Sequence, residues 1–253
     1  MERVQTMRLS TLFRIAFSGA VGFACSSQPQ IEAPPQPAAP PVQPTASPPP
    51  SAVERHRGTG RDLEHAPNGA AYPTANIGYR ARSAALAGNR IPNLKFLGYP
   101  NGDSSKGLQQ IALSDYYDPS GKIYKVIQLV GSSVWCGPCN QETDELVAGG
   151  GEMSKKGLVI VQALLDGNEM GKGAVADDLV RWVGDHQIKF TVVLDPNSRN
   201  LGPFFDAAAV PWNGYVDARS MEILQAGVGM EEGGAAANEA KWLAWVEANE
   251  AQK

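Results

Sequence analysis

Two cysteines three positions apart are the residues of this chain best suited to chemistry. Cys136 and Cys139 enclose Gly137 and Pro138, and Trp135 precedes them. Two thiols at this spacing at the start of a helix can form a disulfide. The amino end of a helix carries about half a positive charge and free N–H donors, and both stabilise a thiolate, so the first cysteine can attack near neutral pH. The motif therefore predicts a redox-active pair, with Cys136 as nucleophile and Cys139 as the resolving thiol.

Two other uses of a cysteine pair are weaker alternatives. A structural zinc site needs four ligands, but the chain holds no second cysteine pair, and His56, His65 and His186 are scattered along the sequence. A purely structural disulfide that closes so short a loop adds little stability through chain entropy. We therefore expect no metal, and no cofactor other than the Cys136–Cys139 disulfide itself.

The segments around the pair alternate between strand and helix patterns. Residues 123–130, just before the motif, are apolar except for Gln128, which is typical of a strand covered on both faces. A helix should follow the motif, and the glycines at 149–151 should stop or break it. Two apolar runs, 91–97 and 108–113, flank a turn and predict a hairpin. Further patterns predict strands at 158–165, 189–194, 212–216 and 221–226 and helices at 176–186, 200–208 and 235–249. This order indicates an α/β fold.

The sequence Trp-Cys-Gly-Pro-Cys after a buried strand resembles thioredoxin. The order of the elements resembles the TlpA/ResA-type thiol–disulfide oxidoreductases, membrane-anchored members of the AhpC/TSA and redoxin-like proteins with a thioredoxin fold. The resemblance covers about residues 91–250. It implies a central mixed β-sheet flanked by helices, with an N-terminal hairpin extension at 91–113 and a central insert between Cys136 and Pro211.

The resemblance also implies roles for residues outside the motif. Val210 and Pro211 match the cis-proline segment that faces the disulfide and, with the motif residues, forms the substrate groove of the family. Glu142, six residues after Cys136, matches a buried glutamate that exchanges protons with a thiol; a solvated helix glutamate is the alternative. Thioredoxin carries a buried acid six residues before its first cysteine, and in this chain that position holds Val130.

Further positions depart from the pattern of the family, and among them Gly131 and Ser132 replace a bulky aromatic pair that is common at the strand end. Asp144 stands where a proline that kinks the helix is usual, and Trp212 follows Pro211 where a threonine is more common. These departures concern substrate preference and redox poise rather than the chemistry of the cysteine pair.

The amino terminus is typical of an export signal. Arg3, Arg8 and Arg14 precede an apolar stretch at 15–24, which is too short to span a bilayer. Cys25 directly follows small residues, as does the acylated cysteine of a bacterial lipoprotein. We expect a lipid-anchored protein on the periplasmic side of a bacterial membrane, with plain secretion and an uncleaved anchor as alternatives.

A proline-rich stretch separates this signal from the globular part. Residues 29–50 contain ten prolines and one charge, so they cannot form a core and should be stiff and extended. The predicted organisation is a signal peptide at 1–24, a lipid attachment site with a disordered linker at 25–71, and a thioredoxin-like domain at 72–253.

These features together predict an exported thiol–disulfide oxidoreductase that reduces disulfides in client proteins. The resemblance implies a membrane thiol electron donor and allows a role in cytochrome c maturation. The alternatives are a non-catalytic peptide-binding module on a membrane stalk and a thiol peroxidase. A net charge of −4 without a long basic run argues against nucleic-acid binding.

Overall fold

The computed structural model describes residues 63–78, 86–204 and 209–249. Its strands are β1 Lys95–Tyr99, β2 Gln109–Ala112, β3 Val126–Ser133, β4 Leu158–Asp166, β5 Thr191–Leu194, β6 Trp212–Asp217 and β7 Glu222–Val228, and its helices are α1 Gly137–Lys155, α2 Ala176–His186 and α3 Ala235–Ala248. The predicted signal segment, Cys25 and the proline-rich spacer lie outside these residues.

The described strands form one seven-stranded sheet in the order β2-β1-β5-β4-β3-β6-β7. Strands β3, β4 and β5 run parallel at its centre, and β6 and β7 continue it on one side with antiparallel pairing. The β1–β2 hairpin extends the other side by pairing antiparallel with β5. This is the predicted thioredoxin fold, with the hairpin before the core and α2 and β5 between β4 and β6.

All eight residues of β3 are buried because both faces of the sheet are covered. The three helices pack on one face, where Leu146 of α1 and Trp242 of α3 meet Val126 and Val130 of β3. The opposite face carries Ile127 and a second apolar cluster, which includes Tyr72, Ile91, Leu113, Leu129, Val161 and Leu201. The near-continuous apolar pattern that predicted this strand has its origin in this double coverage.

Strand β3 begins three residues later than predicted and ends three residues later. The Asp118 carboxylate accepts hydrogen bonds from the N–H groups of Ile123 and Tyr124, at 2.7 Å and 3.1 Å, and so holds them in a turn. At the other end, pairing with β4 continues to Ser133 opposite Asp166. The strand therefore carries the chain directly to the cysteine motif.

The segment at 63–71, which the sequence assigns to the linker, contacts the hairpin region. The Leu63 carbonyl accepts hydrogen bonds from Asn93 Nδ2 at 2.6 Å and Ser114 Oγ at 3.0 Å. Just beyond it, the Tyr72 hydroxyl donates to the Ile91 carbonyl at 2.9 Å. These bonds attach the start of the described chain to the folded domain.

The prediction that the glycines at 149–151 break the first helix is wrong, since α1 continues to Lys155. A Cβ atom on Gly150 would lie 3.2 Å from Ile160 Cδ1 of β4, and one on Gly149 would lie 3.9 Å from the Ala236 methyl of α3. The missing side chain of Gly150 lets α1 lie close to the sheet, whereas a methyl group on Gly149 would make only an ordinary contact with α3. Tertiary packing thus outweighs the low helix propensity of glycine.

The helix predicted at 200–208 is described only in part. A short 3₁₀ turn occupies Gly202–Phe204, and residues 205–208 lie outside the described chain. The helices predicted at 176–186 and 235–249 are present as α2 and α3. Within the described residues, no helix combines the length and the apolar character that crossing a bilayer requires.

Two neighbouring glycines of α1 provide a test of this packing. A methyl group on Gly151 would enter open space, so Gly151→Ala should raise the free energy of unfolding by about 1 kcal/mol through helix propensity. Gly150→Leu should lower it by about 1–3 kcal/mol, because the larger side chain is forced against Ile160. Urea unfolding of both variants measures the difference. Stabilisation by both substitutions would contradict the close packing of α1 on β4.

Candidate active site

The two cysteines form a disulfide at the amino end of α1, with their Cα atoms 5.2 Å apart. Cys136 is the N-cap residue, with φ −85° and ψ 108°, and Pro138 lies in the first turn, where its missing N–H breaks no helical hydrogen bond. The Cys139 backbone N–H donates to Cys136 Sγ at 3.2 Å. Cys136 is 3% exposed and Cys139 is fully buried, while Gly137 and Pro138 are exposed. Of the two sulfurs, that of Cys136 has the amide donor, and Cys136 retains a small exposed fraction where Cys139 has none.

The peptide bond between Val210 and Pro211 is cis, as the resemblance implied. The Val210 carbonyl oxygen lies 3.7 Å from Cys136 Sγ. The Pro211 carbonyl accepts a hydrogen bond from the Gly229 N–H at 2.7 Å, which ties this segment to the chain that follows β7. The structure therefore brings Val210 and Pro211 together with the disulfide.

Trp135 is half-buried and is linked to the loop after β4. Its indole Nε1 donates to Asp166 Oδ2 at 3.4 Å, and the same oxygen accepts from the Gly171 N–H at 3.0 Å. Asp166, which the sequence analysis did not select, thus positions both the motif tryptophan and the neighbouring loop.

Glu142 lies on the inner face of α1 and is 2% exposed, so it is a buried carboxyl rather than a solvated helix residue. Its Oε1 accepts from Asn213 Nδ2 at 2.7 Å, and Asn213 Oδ1 accepts from Gln128 Nε2 at 3.2 Å. Among the described residues, Glu142 Oε2 has no hydrogen-bond partner. Burial raises the pKa of Glu142 to about 7; the Asn213 hydrogen bond opposes this rise, and the nearby carboxyls of Glu231 and Glu145 add to it.

Two more carboxyls, like that of Glu142, act on the buried Tyr215 hydroxyl. The Tyr215 hydroxyl donates to Glu231 Oε2, and Glu239 on α3 is 1% exposed. Burial raises the pKa of both glutamates to about 7, against the ordinary value of 4.5, and the charge of Glu231 adds to the shift of Glu239. The sheet face under α1 and α3 therefore holds acidic groups that titrate near neutrality.

A second polar network lies beneath Cys139. Gln162 Nε2 of β4 donates to Ser132 Oγ at 2.9 Å and to Thr143 Oγ1 at 2.7 Å, and its Oε1 accepts from Trp182 Nε1 at 3.1 Å. The Thr143 hydroxyl in turn donates to the Cys139 carbonyl at 2.8 Å. One buried glutamine thereby connects β3, α1 and α2 under the resolving cysteine.

The sequence contained a signal for part of these networks. Gln128 is the polar exception in an otherwise apolar predicted strand, and Gln162 interrupts the apolar run at 158–165 in the same way. A polar side chain inside a buried strand needs a partner, which marks both residues as members of a buried network. The partners themselves, Asn213 and Thr143, carry no comparable mark. Over the described residues, no group of three or more His, Cys, Asp and Glu side chains is arranged to hold a metal ion.

The buried Glu142 carboxyl makes a prediction about stability and pH. Its pKa of about 7 exceeds the ordinary value of 4.5, so the folded chain retains a proton that the unfolded chain releases. The resulting stabilisation is complete below about pH 4.5 and is lost as the pH rises through about 7. Glu142→Gln cannot ionise and should lack this loss. As the pH rises from 5 to 8, the unfolding free energy of the variant should therefore gain up to about 3 kcal/mol relative to that of the wild type.

Urea unfolding at pH 5 and pH 8 measures this gain. Glu152→Gln, at an exposed position of the same helix, is the matched control and should follow the wild type. Glu231 and Glu239 should leave part of the pH dependence in the Glu142→Gln variant. Equal pH dependence in the wild type and Glu142→Gln would show that the Glu142 carboxyl titrates as it does in water.

A known protein family resembles the region of the chain that contains this site. The AhpC/TSA family model matches residues 87–207, a segment that includes the hairpin, the cysteine pair, α2 and β5. No curated protein sequence matches the chain.

Solved structures with a similar arrangement come from several bacteria. A thiol:disulfide interchange protein of the thioredoxin family from Chlorobium tepidum TLS is 14% identical, with coverage of 66% of this chain and 99% of its own, at a TM-score of 0.46. A secreted thiol-disulfide isomerase from Corynebacterium glutamicum is 17% identical, with coverage of 67% and 96%, at a TM-score of 0.48. The thioredoxin domain of a thiol-disulfide oxidoreductase from Bacteroides vulgatus is 14% identical, with coverage of 63% and 99%, at a TM-score of 0.47. The similarity to the AhpC/TSA family model therefore extends over residues 87–207, slightly less than half of the chain.

Proposed function

We propose that the chain is a thiol–disulfide oxidoreductase that reduces disulfides in client proteins through Cys136 and Cys139. The observation that carries the proposal is the position of the Cys136 sulfur at the amino end of α1. There it accepts the Cys139 N–H and lies beside the Val210 carbonyl. An amide donor and the positive end of a helix both favour the thiolate, which is the reactive form of cysteine.

The reaction consists of two exchanges. In the reduced protein, the Cys136 thiolate attacks one sulfur of a client disulfide, a mixed disulfide forms, and the second client sulfur leaves as a thiolate. The Cys139 sulfur then attacks Cys136 Sγ. The Cys136–Cys139 disulfide forms, the first client sulfur is released, and the client has gained two electrons and two protons. The Gly-Pro dipeptide between the cysteines is that of thioredoxin, whose potential of about −270 mV favours this direction.

The Cys139 thiol must lose its proton before it can attack, and Glu142 is our candidate acceptor. The two residues are three apart on α1 and therefore share a helix face. Both are buried, and the carboxyl has a pKa of about 7. A proton acceptor whose pKa lies close to the working pH is most effective.

Cys25 and the spacer at 29–50 support an exported, lipid-anchored form of the protein on the periplasmic side of a bacterial membrane. An oxidising compartment would keep the Cys136–Cys139 pair oxidised, so a reductase there needs an electron donor, which we place in the membrane as a thiol protein. Apocytochrome c, whose cysteines must be reduced before haem attachment, is one candidate client.

Exchange of each cysteine for serine tests the division of labour. Cys139→Ser should trap mixed disulfides with clients, because the resolving step is lost, and Cys136→Ser should trap none. The reduced wild type should be alkylated by iodoacetamide first at Cys136 near pH 7. Non-reducing gels, mass spectrometry and an insulin-reduction assay provide the readouts.

The same assay separates the alternatives. Peptide capture without turnover by the wild type would favour a binding module, and rapid consumption of hydrogen peroxide would favour a thiol peroxidase. Preferential alkylation of Cys139 would reverse the roles of the two cysteines.

Removal of the carboxyl tests the proposed proton acceptor. Glu142→Gln keeps the shape of the side chain and its place beside Asn213 but cannot accept a proton. We expect client reduction to slow about tenfold or more, as for a lost acid–base group, and its pH profile to lose the step near pH 7. Disulfide formation between the cysteines should persist. Wild-type rates and an unchanged pH profile in this variant would assign proton transfer to another group.

Substitution of Cys25 tests the anchor. If Cys25 is acylated, the full-length protein expressed in a bacterium should partition with the membrane fraction and the detergent phase. Cys25→Ala should move it to the soluble or precursor fraction. A wild-type chain that is soluble and starts with an unmodified Cys25 would refute the anchor and leave the redox proposal intact.

A further inference from the structure

A histidine on α2 connects this helix to the first turns of α1. His186 Nδ1 lies 2.7 Å from Asp144 Oδ1, and its Nε2 lies 3.2 Å from Asn140 Oδ1. The His186 side chain is only 9% exposed, and its ring packs against Trp182 with the centroids 4.3 Å apart. The ring is therefore held from three sides in a single orientation.

The partners of Asn140 define the direction of these bonds. Asn140 Nδ2 donates to the Cys136 carbonyl at 2.8 Å and to the Val134 carbonyl at 3.2 Å. Since a backbone carbonyl can only accept, the amide nitrogen must face the two carbonyls and Oδ1 must face the histidine. His186 Nε2 therefore donates to Asn140. The other ring nitrogen, Nδ1, faces the Asp144 carboxylate.

Through Asn140, the histidine reaches the loop that carries the nucleophile. The Cys136 carbonyl accepts both from Asn140 Nδ2 and from the Asn140 backbone N–H at 3.1 Å. Together with the bond to Val134, these contacts hold the turn from the end of β3 into α1. The same turn fixes Cys136 Sγ 3.2 Å from the Cys139 amide nitrogen.

We propose that His186 is a positioning residue for Cys136, acting through the side-chain amide of Asn140 and held in place by Asp144. His186 fixes which way the Asn140 amide faces, and the amide fixes the turn that presents the sulfur to its amide donor. The proposal rests on the proposed reductase function, and it deepens that function by adding α2 to the elements that control the nucleophile.

The bonds of His186 involve Asn140 and Asp144, which both lie outside the Cys-Gly-Pro-Cys motif. Asp144 occupies the position where the resembled family usually has a helix-kinking proline, and a proline side chain could accept no hydrogen bond from His186. Here α1 instead offers Asn140 and Asp144, one helical turn apart, to the same imidazole ring. Asp144, which departs from the family pattern in the sequence, is thus a hydrogen-bond partner of His186 in the structure.

Two substitutions of His186 separate positioning from packing. His186→Gln retains N–H donors, whereas His186→Leu keeps bulk beside Trp182 but cannot donate. We expect His186→Leu to lower the second-order rate of Cys136 alkylation at pH 7 by about three- to tenfold, the usual worth of one hydrogen bond. His186→Gln should recover part of the rate. Asp185→Asn, an adjacent exposed position, is the matched control and should behave as the wild type.

A double substitution tests the route through Asn140. Asn140→Ala should slow alkylation by a similar factor, and His186→Leu combined with Asn140→Ala should be no slower than Asn140→Ala alone. The midpoint potential of the Cys136–Cys139 pair, measured against glutathione, should shift in both single variants in the same direction. Far-UV circular dichroism and urea unfolding establish that each variant is folded.

Three outcomes would overturn the inference: equal alkylation rates for the Gln and Leu variants, wild-type reactivity and potential in folded His186→Leu, or independent multiplication of the two single effects. The alkylation rate does not depend on any client. An insulin-reduction assay that fails for the wild type would therefore refute the reductase proposal while the alkylation rates still decide the role of His186.

Discussion

The site is organised around a sulfur atom that caps a helix. Position N-cap normally carries an oxygen that accepts an N–H of the first turn, and here Cys136 Sγ accepts the Cys139 N–H in that place. The bond fixes the sulfur relative to the helix axis, and hence to the field of the helix amino end. The end of strand β3 sets where Cys136 enters the helix, and the Val210 carbonyl lies opposite its sulfur. The parallel sheet and the cis-proline segment therefore both position the sulfur that accepts the Cys139 N–H.

The layer under α1 is unusual in being buried and yet partly polar. Gln128, Asn213 and Glu142 form one chain of hydrogen bonds, and Gln162 with Thr143 forms part of another. A buried polar atom without a partner costs about 1–3 kcal/mol, and a packed apolar layer would avoid that cost. What the polar layer provides is orientation, because each hydrogen bond fixes a side chain that packing alone would leave free to rotate. Burial, with a smaller effect of the neighbouring carboxyls of Glu231 and Glu145, keeps the pKa of Glu142 high.

The sequence predicted the parts of this molecule that depend on local pattern. The strand–motif–helix unit, the hairpin, α2 and α3 follow from apolar patterns, and Glu142 was implied by the resemblance to the TlpA/ResA-type proteins. The prediction of a break at the glycines 149–151 was wrong, because the close packing of Gly150 on Ile160 arises only after folding. The bonds of His186 to α1 were equally hidden, since that residue lies more than forty positions from its partners.

The hairpin has a consequence for the edges of the sheet. Strand β5, Thr191–Leu194, is short and almost entirely apolar, and without β1 it would expose a row of unpaired backbone groups to any other extended chain. Pairing with β1 turns β5 into an interior strand and moves the edge outward to β2, whose first residues are Gln109 and Gln110. The extension before the catalytic core thus replaces an aggregation-prone edge strand with one of the same length that is more polar.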